Sequence, residues 1–322
     1  MEDIKMGKLC FGVDLGGTAI KLGLFDSEDG LLESWEIVTR KEEGGSLILD
    51  DISAAILKKM EERNISKEEI LGVGIGVPGP VTSDGYVNSC VNLGWGRFDV
   101  AKELGNKIGM LVKVGNDANV AALGEMWQGG AQGYQHVVMI TLGTGVGGGI
   151  IINGKIWEGV NGAAGELGHM PVVYDEKETC NCGRKGCLEQ VASATGIVKV
   201  AKRLLNETDK PSSLRKVQYI SAKEVFDAAK NGDELANDVL ENMGEYMGIA
   251  LANVASVVDP EIFVIGGGVS KAGTILIDLI QKYYKTKTLF STKNTKFALA
   301  RLGNDAGIYG AAKLVLDAVR NQ

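Results

Sequence analysis

Apolar positions along the chain recur with period two in some stretches and every three to four residues in others, so strands and helices alternate. Residues 9–13 are apolar and end in Asp14-Leu15-Gly16-Gly17-Thr18. Residues 19–25 read as a second strand, which places the glycines in a hairpin turn. A third strand is expected over 33–39. From 47 to 62, Leu47, Ile48, Ile52, Ala55, Ile56 and Met60 share one helical face. A strand over 70–77 is closed by Pro78-Gly79-Pro80, and 100–108 has helical spacing. A strand over 110–114 then runs into Gly115-Asn116-Asp117-Ala118-Asn119, and a helix over 120–128 leaves it.

The second half begins in the same way. Residues 135–142 form a β-run followed by the glycine-rich 143–149, a strand over 150–152, and Asn153-Gly154, a strong tight-hairpin signal into 155–157. A strand, a Leu-Gly-Thr-type turn and another strand therefore occur twice, at Asp14 and at Thr141, as a local repeat. Helices are expected over 192–206, over 221–229 behind the capping box Ser221-Ala222-Lys223-Glu224, and over 233–258. A short buried strand over 261–265 ends in Gly266-Gly267-Gly268. A helix over 275–284, a strand over 295–301 and a closing helix over 307–319 complete an α/β pattern.

Length and composition bound the function. The 322 residues suffice for two domains, and 45% hydrophobic with 23% charged residues is ordinary for a globular protein. The net charge of −7 argues against a nucleic-acid surface. Apolar runs fall short of a membrane span, and 1–8 is polar and too short for a signal peptide, so a cytoplasmic location is expected. Glycine is clustered, which suits loops that approach a ligand closely.

Candidate chemistry sits at the turns. Asp117 stands where a strand meets a helix, at the carboxyl end of a strand, the place where open α/β sheets bind ligands; Asn, Asp and Gly also make ordinary turns. The turns at 14–18 and 142–149 offer backbone N–H groups and Thr hydroxyls to phosphate oxygens, or are plain glycine hairpins. Two motif matches fail on context. Gly143-x-Gly145-x-x-Gly148 is followed by a strand where a dinucleotide fingerprint needs a helix. Gly149-x-x-x-x-Gly154-Lys155 lacks the Ser/Thr of a P-loop.

Of five cysteines, Cys10 and Cys90 read as buried reduced thiols. Cys180, Cys182 and Cys187 fall within eight residues on a glycine-rich loop, the composition of a zinc site that needs a fourth ligand. Only two histidines are present. His136 heads a strand and reads as structural, whereas His169 lies eleven residues before Cys180 and would close a Cys₃His site. Such a site would pin Glu166 and Glu189, so that both could accept hydrogen bonds from a polyhydroxylated ligand.

These motifs together, Asp14-Leu-Gly-Gly-Thr18, Gly76-Val-Pro-Gly79, Asn116-Asp117-Ala-Asn119, Thr141-Leu-Gly-Thr-Gly145, Glu166-Leu-Gly-His169, Cys180-x-Cys182-Gly-x-x-Gly-Cys187-Leu-Glu189 and Gly266-Gly-Gly268, resemble the ROK family and, within it, the glucokinase group of Gram-positive bacteria. They cover nearly the whole chain in family order. The resemblance implies the actin-like ATPase (ribonuclease H-like) fold, with two α/β domains flanking a cleft. The small domain would be 1–117 plus 303–322, completed by the C-terminal helix, and the large one 118–302, carrying the zinc loop. It implies ATP-dependent phosphorylation of glucose at the 6-hydroxyl, with Mg²⁺ and a structural Zn²⁺, in a homodimer or dimer of dimers without nucleic-acid or membrane partners.

The same resemblance implies residue roles. Asp117 would be the general base. Asn116, Glu166, His169 and Glu189 would hold the sugar hydroxyls, with Gly79 and Asn92 lining the pocket. Asp14 would sit near Mg²⁺. Gly16, Gly17, Thr18, Thr144 and Gly145 would bind phosphates, Gly267 and Gly268 would border the adenosine, and His169, Cys180, Cys182 and Cys187 would hold zinc. The roles agree with phosphoryl-transfer chemistry, in which a protein mainly positions groups and neutralises charge, and in which domain closure excludes water. Local variation is expected at Thr82-Ser83. The alternatives are a ROK kinase for N-acetylmannosamine, fructose or allose, and a sugar-responsive ROK repressor. A repressor would need a helix-turn-helix ahead of the first strand, which here starts by Leu9.

Overall fold

The computed structural model describes residues 8–82, 84–87, 90 and 93–320. Strands β1 (Leu9–Leu15), β2 (Ala19–Asp26) and β3 (Gly30–Val38) form an antiparallel meander. β4 (Ile70–Val77) adds in parallel to β1; β5 (Tyr86–Val87) and β6 (Phe98–Asp99) pair as a small ribbon; and β7 (Val112–Asn116) lies parallel to β4. The first sheet thus has the order β3-β2-β1-β4-β7.

A second sheet is built from β8 (Val137–Leu142), β9 (Val146–Ile152), β10 (Lys155–Ile156), β11 (Ile262–Gly266) and β12 (Lys296–Leu299), in the order β10-β9-β8-β11-β12. Each sheet sets its first strand between a hairpin partner and a parallel neighbour. The repeat legible at Asp14 and Thr141 is therefore the local trace of a connectivity that covers both sheets. Glycines 147–149, expected as loop, belong to β9. A Cβ on Gly149 would stand 2.8 Å from the carbonyl oxygen of Ala118, so the strand passes the following helix only with glycine there.

Strand β1 is covered on both faces, which explains its continuous apolar run. Phe11, Val13 and Leu15 enter a core with Ile52 and Ile56 of the helix Ile48–Arg63 and Leu104 and Ile108 of the helix Val100–Ile108. Cys10 faces the other way, onto Ile308, Ala312 and Val315 of the helix Ala306–Arg320. Burial pushes the Cys10 thiol up to about 12, as expected of an inert structural cysteine. Each fully buried Ile or Leu on these faces contributes about 1.5–3 kcal/mol.

The chain divides into two compact units. One comprises Met1–Gly133, Gly149–Gly165 and Asn304–Gln322, the other Tyr134–Gly148 and Glu166–Gly303. This differs from a boundary at 117, because 118–133 and 149–165 fall in the first unit. The reason is the pairing of the helix Asp117–Gln128 with the helix Ala306–Arg320. A Cβ on Gly310 would lie 1.7 Å from the carbonyl oxygen of Val120, so glycine alone permits their approach. No described helix is long and apolar enough to cross a membrane.

Candidate active site

In the first unit the helix that leaves β7 starts at Asp117, three residues earlier than its apolar spacing suggests. The cause is Asn116, a good N-cap residue, whose Oδ1 accepts from the Asn119 N–H at 3.1 Å. Its Nδ2 donates to Asp117 Oδ1 at 2.9 Å and to the Gly79 carbonyl at 3.1 Å. The Ala118 N–H donates to the same Asp117 oxygen at 2.8 Å. Asn116, Asp117 and Gly79 are thereby brought together, with the Asp117 carboxylate fixed in the first helical turn, the end at which acidic groups are favoured. Asn92 lies outside the described residues, as does Ser83.

Asp14, the last residue but one of β1, lies near this turn. Its carboxylate lies against Gly307, where a Cβ would stand 2.3 Å from Oδ2. Burial, then the charge of Asp117, push Asp14 up to about 6, with Lys21 opposing. Lys21 is itself engaged by Asp305 at 2.5 Å. The glycine turn beyond Asp14 is closed by the Gly16 N–H on the Ala19 carbonyl at 3.1 Å. Thr39 locks it from outside: its hydroxyl donates to the Gly16 carbonyl at 2.8 Å and its N–H to the Thr18 carbonyl at 3.0 Å. Sequence reasoning passed over Thr39, because a threonine closing a strand carries no signal of its own.

The Asp14 shift has a testable sign. Its folded-state value is raised from 3.8 to about 6, so the folded form binds the extra proton in that window, and stability from this group falls as pH rises through it. Asp14→Asn cannot ionise. It is expected to raise the melting temperature by a few degrees at pH 8, without Mg²⁺ or nucleotide, and the gain should shrink at pH 5. Melts showing an equal difference at both pH values would contradict the linkage.

In the second unit, His169, Cys180, Cys182 and Cys187 place their ligand atoms within 4.8 Å of one another. His169 Nδ1 is 3.8 Å from Cys180 Sγ, and Cys182 Sγ is 3.6 Å from Cys187 Sγ. A tetrahedral ion with bonds of about 2.0–2.3 Å needs ligand–ligand edges of about 3.3–3.8 Å, so the donor set fits zinc in type and spacing. Burial raises Cys180 and Cys187. Burial also pushes Cys182 up, but hydrogen bonds from the Arg184 backbone and side chain and from the other two thiols outweigh it and leave Cys182 at about 6. The loop is closed by Cys180 N–H on the Arg184 carbonyl at 2.7 Å and Gly183 N–H on the Cys180 carbonyl at 2.9 Å. Buried Gln190, a second residue that sequence reasoning missed, accepts from the Cys187 N–H and donates to the Glu178 carbonyl, both at 3.0 Å.

The two glutamates flank opposite ring nitrogens of His169. Glu189 Oε1 is 3.8 Å from Nδ1 and 3.0 Å from Cys180 Sγ, and Glu166 Oε2 is 4.0 Å from Nε2. The Glu166 side chain is 47% exposed and that of Glu189 17%, so Glu166 is the more open to a ligand. Glu189 Oε2 reaches the Val146 N–H at 3.5 Å, and a Cβ on Gly145 would stand 2.7 Å from it.

The second glycine turn closes through the Gly143 N–H on the Gly145 carbonyl at 3.0 Å and is held by the Ala194 N–H on the Gly143 carbonyl at 2.8 Å. Because Thr141 pairs with Gly266, Thr144 and Gly145 emerge at the same sheet end as Gly267 and Gly268. Beside them is a cavity of about 380 Å³ lined by Ala194, Ser221, Phe226, Gly268, Val269 and Lys271. The Gly143 pattern precedes a strand, as expected for a chain that does not use it as a dinucleotide fingerprint.

Two sheets of one connectivity, each with a glycine turn beyond its first strand, define the class: the actin-like ATPase fold of the sugar kinases. The ROK family model matches residues 10–318, and the chain belongs to the ROK family. A glucokinase from Halalkalibacterium halodurans is 44% identical over 310 residues, covering 94% of each chain. The crystal structure of a ROK hexokinase from Thermus thermophilus superposes with a TM-score of 0.82 at 31% identity, covering 98% of this chain and 100% of that one. That of a ROK family glucokinase from Streptomyces griseus, in complex with glucose and AMPPNP, gives a TM-score of 0.75 at 36% identity over 96% and 99%.

Proposed function

We propose that this chain transfers the terminal phosphoryl group of ATP to the 6-hydroxyl of glucose. The observation that carries the reading is the Asn116–Asp117 helix start, a carboxylate oriented by two donors and electrostatically coupled to Asp14 beside a glycine turn. Relatives named glucokinase, one of them solved with glucose and an ATP analogue, support it.

In this mechanism Asp117 accepts the proton of the attacking hydroxyl. Asn116, Gly79, Asn92, Glu166, His169 and Glu189 bind and orient the sugar. Backbone N–H groups and hydroxyls of Gly16, Gly17, Thr18, Thr144 and Gly145 take the phosphates, and Gly267 and Gly268 border the adenosine in the cavity beside them. Magnesium would sit near Asp14, where a cation relieves the repulsion from Asp117, and it supplies charge neutralisation on the phosphates. Zinc would be held by His169, Cys180, Cys182 and Cys187 as a structural crosslink. With His169 Nδ1 facing the thiols, Nε2–H is the ring donor left for Glu166 and a sugar hydroxyl.

ADP release measured with glucose, mannose, N-acetylglucosamine, N-acetylmannosamine, fructose and allose tests the assignment. Glucose is expected to give the highest kcat/KM, and a preference for any other sugar overturns it. Thr144→Val removes one charge-assisted hydrogen bond to a phosphate and should raise the KM for ATP by about tenfold, leaving the KM for glucose nearly unchanged. Equal effects on both substrates would remove Thr144 from the nucleotide side.

A further inference from the structure

Lys41 lies two residues beyond Thr39, at the end of the segment that Thr39 ties to the first glycine turn. Its Nζ is 3.3 Å, and its Cε 3.8 Å, from the point a Cβ on Gly17 would occupy, so the ammonium sits over the backbone of the turn itself. Other cations of this region are neutralised within the chain. Lys21 pairs with Asp305 and Glu36, Arg40 with Asp51, and Lys59 and Arg63 with Glu33. Lys41 has no ion-pair partner among the described residues, and it is exposed. An ammonium above a glycine turn, with no ion-pair partner among the described residues, is complementary to a bound anion.

The turn begins at Asp14, which is coupled to Asp117. With Asp117 as the proposed base, the phosphoryl group nearest that pair would be the one transferred. We propose that Lys41 is a catalytic residue whose Nζ contacts the non-bridging oxygens of the terminal phosphoryl at Gly16–Thr18. This rests on the reading of that turn as a phosphate site. Lys41 exchanges no proton in the step. The bond from the terminal phosphorus to the β,γ-bridging oxygen breaks, and its electron pair leaves with ADP. The sugar oxygen bonds to phosphorus, and its proton goes to Asp117. Lys41 supplies positive charge as negative charge spreads over the equatorial oxygens.

The test compares Lys41→Ala, Lys41→Arg and Thr18→Ala with the parent, in turnover and in calorimetric binding of AMPPNP and ADP. Lys41→Ala is expected to lower kcat/KM for ATP by about 10²-fold, a scale typical of lost transition-state charge stabilisation. AMPPNP binding should weaken about tenfold, through loss of a charge-assisted contact, and ADP binding by less than about threefold. The KM for glucose and the melting temperature should hold, and Lys41→Arg should recover most of the loss. Equal weakening of AMPPNP and ADP overturns the terminal-phosphoryl assignment, and a melting defect that arginine does not repair assigns Lys41 a structural role instead. If Lys41→Ala is near normal while Thr18→Ala impairs ATP use, the Lys41 proposal fails and the turn reading stands. If neither variant changes the ATP parameters, the turn reading falls and the proposal with it.

Discussion

Replacing Asp117 with asparagine is expected to lower kcat by about 10²–10⁴-fold, the usual contribution of a positioned general base. That loss corresponds to about 3–5 kcal/mol of barrier. The substitution isolates the proton-accepting role. An asparagine Oδ1 can still accept from the Ala118 N–H and from Asn116 Nδ2, and Asn116 still caps the helix, so the local backbone has no reason to move. Glucose binding, followed by calorimetry, should therefore stay close to that of the parent. A second consequence is independent of turnover. The Asp117 charge is the second cause of the raised Asp14 value, after burial, so Asp14 should titrate lower in the variant. Turnover within tenfold of the parent would remove Asp117 from the base role.

The second large effect is expected on the sugar side. Cys182→Ser should reduce bound zinc from one per chain to near none and raise the KM for glucose by about 10–100-fold, the penalty for groups misplaced by roughly an ångström. Three side chains proposed to hold the sugar depend on this cluster. His169 supplies a donor atom, Glu189 rests on Cys180 Sγ at 3.0 Å, and Glu166 lies beside the His169 ring. The damage should stay local. Each unit has its own core, and the loop 180–190 carries separate supports such as the Gln190 hydrogen bonds. Global unfolding is therefore not expected, whereas proteolysis within 171–187 should accelerate. Elemental analysis of chelator-free protein gives the zinc count. A zinc-free chain with an unaltered KM for glucose would contradict the reading.

Much of the site was legible because its residue types are rarely interchangeable. Three cysteines within eight residues, with a histidine eleven positions upstream, announce a metal site from spacing alone, and the fold brings those four side chains together. Strand β4 and the helix Val100–Ile108 fall where the apolar pattern sets them, since each buries a face whose period survives in the sequence. The capping box at Ser221 and Glu224 forms with both reciprocal hydrogen bonds. Less legible was the helix start at Asp117, because a helix's first turn is set by its cap rather than by hydrophobic period.

The sequence by itself determined the alternation of strands and helices, the two glycine turns and the members of the Cys/His cluster. Each is encoded by residues close enough in the chain for local sterics or ligand chemistry to show through. Tertiary structure alone decided which distant residues complete them. Thr39 locks a turn 23 positions earlier, and Gln190 ties the cysteine loop to the Glu178 carbonyl. Gly310 admits the helix pair that carries 118–133 into the first unit. The Asp117 charge reaches Asp14 only because β1 and β7, with β4 between them, end on the same side of the sheet. Such pairings depend on packing distances between segments far apart in sequence, and no local periodicity records a distance.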